Sequence, residues 1–321
     1  MENNDSTRPG LRPLDFYRTV WTLARQCFFD QTVAAKLDAW EHSCDEEIER
    51  TGDAVPSIKR MLAELEDDYT CLEETTADAE EDKPPASQFV ESRMLPDSVG
   101  YLRIKSFGRS SPHIFIEVEQ AFRTIVDADS FIIDLRGNRG GKLLNSCRIA
   151  ALFIDQGAMQ VFQRRTDDQG FLEACLQLNA DGFKEIASFE DGTTDIETWD
   201  RFPNLSGNKP VVVLIDRFTA STSELFVATL RDNHRIIIVG TPSYGKGIGQ
   251  SEHELANGYT FEITDSRFLP PSLQFFGNAH QGVQNSIEPD ILVEADENSE
   301  EDVQLVAAVR ACIEQRTAAA K

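Results

Sequence analysis

Two apolar patterns divide the chain. In the first, apolar residues recur three or four positions apart. Phe16, Val20, Leu23, Ala24 and Cys27 share one face of a helix over 16–28. A second amphipathic segment covers about 32–50, and a third starts at Pro56 and runs through Ile58, Met61, Leu62 and Leu65. Three helices with short joins predict a small N-terminal helical subdomain over 1–72. In the second pattern, aliphatic and β-branched residues run almost unbroken, at 131–136, 211–215 and 236–239. Such runs have the composition of strands buried on both faces. A further strand is expected at 99–104. Helical patterns fall between these strands, at 114–126, at 143–153 and from Thr222 through Leu225, Phe226, Thr229 and Leu230. Alternating strands and helices build parallel crossover units, so 97–321 is expected to be an α/β core.

Other stretches carry weaker signals. Residues 73–88 are rich in acid, Thr, Pro and Ala, and the whole of 73–96 is expected to be an acidic linker. Only one strand, at 159–165, is expected in the mixed polar stretch 156–208. A strand at 259–264, a loop at 272–282 and a helix at 302–313 complete the expected elements.

Charge and cysteine usage narrow the partners. The 321 residues hold 31 Lys and Arg against 55 Asp and Glu, a formal charge of −24. That balance argues against nucleic acid and anionic membranes as partners, because cations are in deficit. The six cysteines form no Cys-x-x-Cys pair and predict reduced, buried thiols rather than a zinc site. No cofactor is called for. Residues 1–15 lack the apolar core of a signal peptide, and no run of about 18 apolar residues occurs. A cytoplasmic location is the expectation.

The chemistry concentrates at 211–250. Both strands of that crossover unit end on one edge of the sheet, where ligand sites of open α/β sheets lie. Ser221 follows the first strand and Lys246 the second. A serine attacks a carbonyl once a base takes its proton, and a neutral lysine amine can be that base. The helix starting near Thr222 offers unpaired N–H groups, so the Thr222 N–H is a natural donor to a developing oxyanion. A simpler role competes: Ser221-Thr222-Ser223-Glu224 also fits a capping box. Gly240 to Lys246 has phosphate-loop spacing, but Gly247 stands where that motif needs Ser or Thr, and no helix follows. The paired glycines Gly140-Gly141 after the strand at 131–136 permit close approach of a ligand to backbone, or simply a tight turn.

Thr219-Ala220-Ser221-Thr222-Ser223-Glu224 and Tyr244-Gly245-Lys246-Gly247 resemble the C-terminal processing peptidases, also called tail-specific proteases. That family carries Ser-Ala-Ser-Ala-Ser-Glu and Phe-Gly-Lys-Gly at the same separation. The resemblance implies an α/β fold with a crotonase-like core sheet and crossover helices, behind the helical subdomain. It also implies a serine-type peptidase acting through an acyl-enzyme, with Ser221 as nucleophile, Lys246 as general base and Gln250 supporting the lysine. The run from Asp134 to Gly141 is similar to the family's Asp-Leu-Arg-x-Asn-x-Gly-Gly, which assigns an oxyanion-hole amide to Gly140, with Gly141 the alternative. Peptides or unfolded proteins are the implied substrates, and formation of a homo-oligomer is left open. Tyr69 stands where tricorn-type relatives use a histidine, which favours the lysine mechanism. A lysine base must titrate near 7 to 8, roughly three units below its ordinary 10.4. Asp232 matches a position considered functional in the family. Eleven residues along one helix is roughly 16 Å of rise, so a local cap or salt bridge is expected instead. Processing peptidases commonly carry a PDZ domain between the helices and the core, and the gap here is too short for one. Retinoid-binding relatives of the same fold supply the rival expectation of a non-catalytic binding module.

Overall fold

The computed structural model describes residues 11–75, 89–108, 113–166, 170–278, 285–296, 299 and 301–319. Helix α1 (Pro13–Cys27) opens with a proline, whose missing N–H is harmless at a helix start, and turns Phe16, Val20, Ala24 and Cys27 inward. The helix expected over 32–50 is broken into α2 (Gln31–Ala34), a 3-10 segment (Ala35–Trp40) and α3 (Asp45–Thr51). Side chains of α1 account for the break. The Tyr17 hydroxyl donates to the Trp40 carbonyl at 2.6 Å, and Trp21 Nε1 to the Leu37 carbonyl at 2.8 Å. Those oxygens serve a tertiary contact instead of a further helical turn. Helix α4 (Val55–Ala63) completes the group.

Two strands occupy ground expected to be the end of the helical subdomain or the linker. These are β1 (Cys71–Glu74) and β2 (Val90–Leu95); residues 76–88 between them lie outside the described residues. Both are edge strands. An edge strand tolerates charge along its length, and that hid the pattern. No PDZ domain fits between Glu74 and Val90.

The α/β core continues with β3 (Val99–Ile104), α5 (Ile114–Arg123), β4 (Ser130–Asp134) and α6 (Leu143–Ala150). Then comes a meander of β5 (Gly157–Thr166), β6 (Gly170–Asn179), β7 (Gly182–Phe189) and β8 (Thr194–Trp199) where one strand was expected. The chain returns through β9 (Val211–Ile215), α7 (Thr222–Asp232) and β10 (Ile236–Gly240). It ends with β11 (Ile248–Leu255), β12 (Tyr259–Leu269), the short β13 (Ile291–Leu292) and α8 (Val303–Ala319).

Six strands form one sheet in the order β13-β10-β9-β4-β3-β2, parallel except for β2. Helices α5 to α7 cover one face through Phe122, Cys147 and Phe226, and α8 covers the other through Ala308, Ala311 and Cys312. The second sheet runs β1-β12-β5-β6-β7-β8, with β11 also on β12. Phe261 and Ile263 of β12 share a core with Phe16, Ile58 and Met61, so the N-terminal helices pack on the antiparallel sheet. Among the described residues no helix is long and apolar enough to cross a membrane.

Candidate active site

Strands β4, β9 and β10 run parallel, and the loops leaving their carboxyl ends are tied together. Asp216 Oδ1, just past β9, accepts from the N–H groups of Gly137 and Thr219, each at 3.0 Å. The Thr219 hydroxyl donates to the Leu135 carbonyl at 3.0 Å. The Ala220 N–H donates to the Asn138 carbonyl, also at 3.0 Å. Asn138 is fully buried; its Nδ2 donates to the Ile104 carbonyl at 2.8 Å and its Oδ1 accepts from Gly140 N–H at 2.9 Å. The glycine loop is thereby pinned to the turn that carries Ser221.

Ser221 stands at the N-terminus of α7 with φ +60° and ψ −124°. A non-glycine residue there carries strain of about 1–3 kcal/mol and persists only where its surroundings over-determine it. Ser221 and Glu224 stand in the capping-box arrangement the tetrapeptide predicts. Within it the Ser221 N–H donates to Glu224 Oε2 and the Glu224 N–H to the Ser221 carbonyl, both at 2.8 Å.

Glu224 does more than cap. It is fully buried, and its Oε1 also accepts from Ser243 Oγ at 2.5 Å and Gly245 N–H at 2.6 Å, its Oε2 from Lys246 N–H at 2.9 Å. Burial pushes the carboxyl's pKa up, and the donated hydrogen bonds pull against that rise. One carboxyl group thus clamps the serine turn to the lysine loop. Ser243 Oγ accepts in turn from Ile287 N–H at 2.7 Å, tying in the segment before β13.

Lys246 Nζ donates to Gln250 Oε1 at 3.0 Å, and Gln250 Nε2 donates to Thr264 Oγ1 at 3.2 Å. The same Nζ lies 3.9 Å from the centroid of the Tyr69 ring. An aromatic face attracts ammonium, so Tyr69 favours the protonated lysine. The Tyr69 hydroxyl is itself pushed up by burial and then by Tyr244 beside it. Ser221, Thr222, Gly141, Lys246 and Gln250 all line one cavity of about 520 Å³. Lys246 also borders an adjoining cavity of about 620 Å³ with Tyr69, Gly140 and Tyr244.

The two glycines differ. A Cβ on Gly140 would lie 3.0 Å from Ser221 Cβ and from Thr222 N, so only glycine lets this loop touch the serine turn. The Gly140 N–H, however, is already given to Asn138. Among the described residues no hydrogen bond takes up the N–H of Gly141 or of Thr222. Thr222 Oγ1 donates to the Gly141 carbonyl at 2.9 Å, which holds these two residues side by side.

Other candidates lie elsewhere. Arg136 binds Asp134 through Nη2 at 2.6 Å and Asp302 through Nη1 at 2.9 Å, so the pair anchors the strand end to α8. Asp232, at the far end of α7, accepts from the Ser272 N–H at 3.0 Å. His280 lies outside the described residues. Sequence reasoning missed the reach of Glu224 to Lys246 and the ring of Tyr69 over Nζ. A signal for the first existed: Leu225-Phe226-Val227-Ala228 is apolar around a full helical turn, which marks a helix buried on all sides.

Residues 98–293 match the model of peptidase family S41. The carboxyl-terminal-processing protease of Synechocystis sp. is 32% identical over 235 residues, 70% of this chain and 46% of that protein. The carboxy-terminal processing protease CtpA of Bacillus subtilis is 28% identical over 184 residues, 56% of this chain and 33% of that one. The chain therefore spans half or less of the length of these relatives. The solved structure of a photosystem II D1 C-terminal processing protease matches with a TM-score of 0.63 at 17% identity, covering 88% of this chain and 93% of that one, a likeness of fold. With the family match covering more than half of its length, the chain belongs to peptidase family S41.

Proposed function

We propose that this protein hydrolyses peptide bonds of unfolded proteins or peptides through a Ser221/Lys246 dyad. The observation that carries the proposal is the strained Ser221 backbone on a cavity wall shared with Lys246, the two loops held by one buried carboxyl group. Ser221 Oγ attacks the scissile carbonyl carbon while its proton passes to neutral Lys246 Nζ. The N–H groups of Gly141 and Thr222 receive the oxyanion, in place of the Gly140 amide expected from the sequence, because Gly140 already donates to Asn138. Gly140 keeps a different role, close contact without a side chain. Lys246 then returns the proton to the leaving amine, and water hydrolyses the acyl-enzyme. Gln250 orients the lysine through its Oε1. Since no PDZ-sized insertion separates β1 from β2, strict selection for one C-terminal tail is not expected.

The test incubates the purified protein with a denatured protein mixture and sequences the new termini. Wild type should generate new termini and react with a fluorophosphonate, and Ser221→Ala should do neither while melting within a few degrees of wild type. Cleavage by Ser221→Ala above a tenth of the wild-type rate would reduce Ser221 to a cap. A folded wild type that ignores both substrate and label would favour a non-catalytic binding module.

A further inference from the structure

The cavity at Ser221 does not end at the serine. Leu143 and Phe162 line it and also line a neighbouring trough of about 680 Å³ between α6 and the β5–β8 meander. The floor of the trough is one face of four strands. Register sets Gln160 opposite Leu176, Leu176 opposite Glu185, and Glu185 opposite Glu197. One cross-strand row therefore passes from an amide through an aliphatic side chain to two carboxylates. Like charges directly opposite on antiparallel strands repel. Burial, and after it Glu197, raises the pKa of Glu185. Asp195 and Arg148 line the same trough, and the Arg148 guanidinium sits 4.6 Å from the centroid of the Phe115 ring.

A second observation points to a ligand independently of charge. Gln160, only 7% exposed, has a buried Oε1 with no hydrogen-bond partner, and the buried Nε1 of Trp199 has none either. Both residues line the trough, and the Trp199 ring is stacked on Phe183 at 5.8 Å. An acceptor and a donor are thus left unsatisfied there, the complement of a peptide group's own N–H and C=O.

Resting on the peptidase reading above, we propose that the trough is a substrate subsite for an extended polypeptide bearing a lysine or arginine. The cation lies between Glu185 and Glu197, relieving their repulsion, and the peptide backbone meets Gln160 and Trp199. Leu176 and Phe162 pack against the stem of the basic side chain, since such stems are apolar. The shared wall at Leu143 and Phe162 makes the occupant one continuous chain running on to Ser221.

Binding separates this inference from catalysis. Fluorescein-labelled neutral dodecapeptides, with a single arginine moved through successive positions, are titrated by anisotropy into full-length Ser221→Ala protein. One position is expected to bind about tenfold more tightly than the arginine-free peptide. That gain should vanish in Glu185→Gln/Glu197→Gln on the same background, with arginine-free binding unchanged. Glu185→Lys/Glu197→Lys should move the preference to a glutamate at that position. The positional preference is read with the carboxylates intact, so it does not depend on how the variants fold. Equal binding at every position, or equal losses for neutral and arginine peptides, would overturn the subsite. If wild type cleaves nothing while the preference persists, the subsite stands and the peptidase reading falls.

Discussion

The two sheets of this protein differ in what holds them and in what they expose. Strands β4 and β9 of the parallel sheet are buried at every residue, with helices on both faces. Strand β8 of the antiparallel sheet is exposed at nearly every position, and its Ile196 is 60% exposed. A sheet buried on both faces has no freedom to shift, so the loops at its carboxyl edge can hold a strained serine. A meander with an open face can present side chains to a long substrate. Under the proposed function, the parallel sheet carries the chemistry and the antiparallel one the recognition. Changes at the edge of the first should act on kcat, and changes on the face of the second on KM.

The largest effect is expected at the parallel edge. Lys246→Arg keeps a proton on its guanidinium and cannot serve as base. Turnover should fall by about 10³-fold or more, with the thermal midpoint nearly unchanged. An active arginine variant would break the assignment of chemistry to this edge. Glu224→Ala comes next, because it strands the N–H groups of Ser221, Gly245 and Lys246 inside the protein. Unsatisfied buried donors cost about 1–3 kcal/mol each, so a loss of roughly 3–9 kcal/mol is expected in urea unfolding, with kcat falling in parallel. Unchanged stability would mean that the clamp between the two loops lies elsewhere.

Tyr69 sharpens the comparison, since it follows the N-terminal helices and reaches the lysine from that side of the molecule. Its ring, 3.9 Å from Nζ, favours the ammonium form. In Tyr69→Leu the rising limb of the kcat/KM profile, set by the base, should therefore move to lower pH. A limb that stays in place would show that the ring does not tune the base.

The smallest effect belongs to the meander. Glu185 holds its proton in the folded state above the pH at which the unfolded chain releases it, because its carboxyl is raised from 4.5 by burial and then by Glu197. The native state therefore binds more protons in that window, and stability falls as pH rises through it. Glu185→Gln removes the fall. Its melting temperature should exceed that of wild type at pH 7 and converge with it near pH 4. A variant less stable at pH 7 would mean that Glu185 has a partner worth more than its repulsion from Glu197.

Legibility followed burial. The strands of the parallel sheet were readable because an unbroken apolar run has only one place to go. The meander was harder: β6 buries Ala174, Leu176 and Leu178 in an alternation that the single expected strand left out, whereas β7 is largely half-exposed and β8 exposed, so no buried face imposed alternation there. Two turn signals marked its bends, Asp181-Gly182 where β6 gives way to β7 and Asp191-Gly192 between β7 and β8. The expected helix over 32–50 failed for a related reason, since the hydroxyl of Tyr17 and the indole of Trp21 take carbonyls that periodicity assigns to the helix.

By itself the sequence determined that Ser221 and Lys246 leave neighbouring parallel strands at the same edge, because strand, helix and strand in that order admit one handed crossover. It also required glycine where the loop after β4 meets the serine turn. Only the tertiary structure decided that Ser221 holds φ +60°, that Glu224 gathers donors from two loops, that Gly140 spends its N–H on Asn138 and leaves Gly141 available, and that Tyr69 covers Lys246. Each of these depends on groups brought together from different loops. Local propensity cannot encode which of a chain's many donors will find one buried carboxyl group; close packing of both faces of the parallel sheet does.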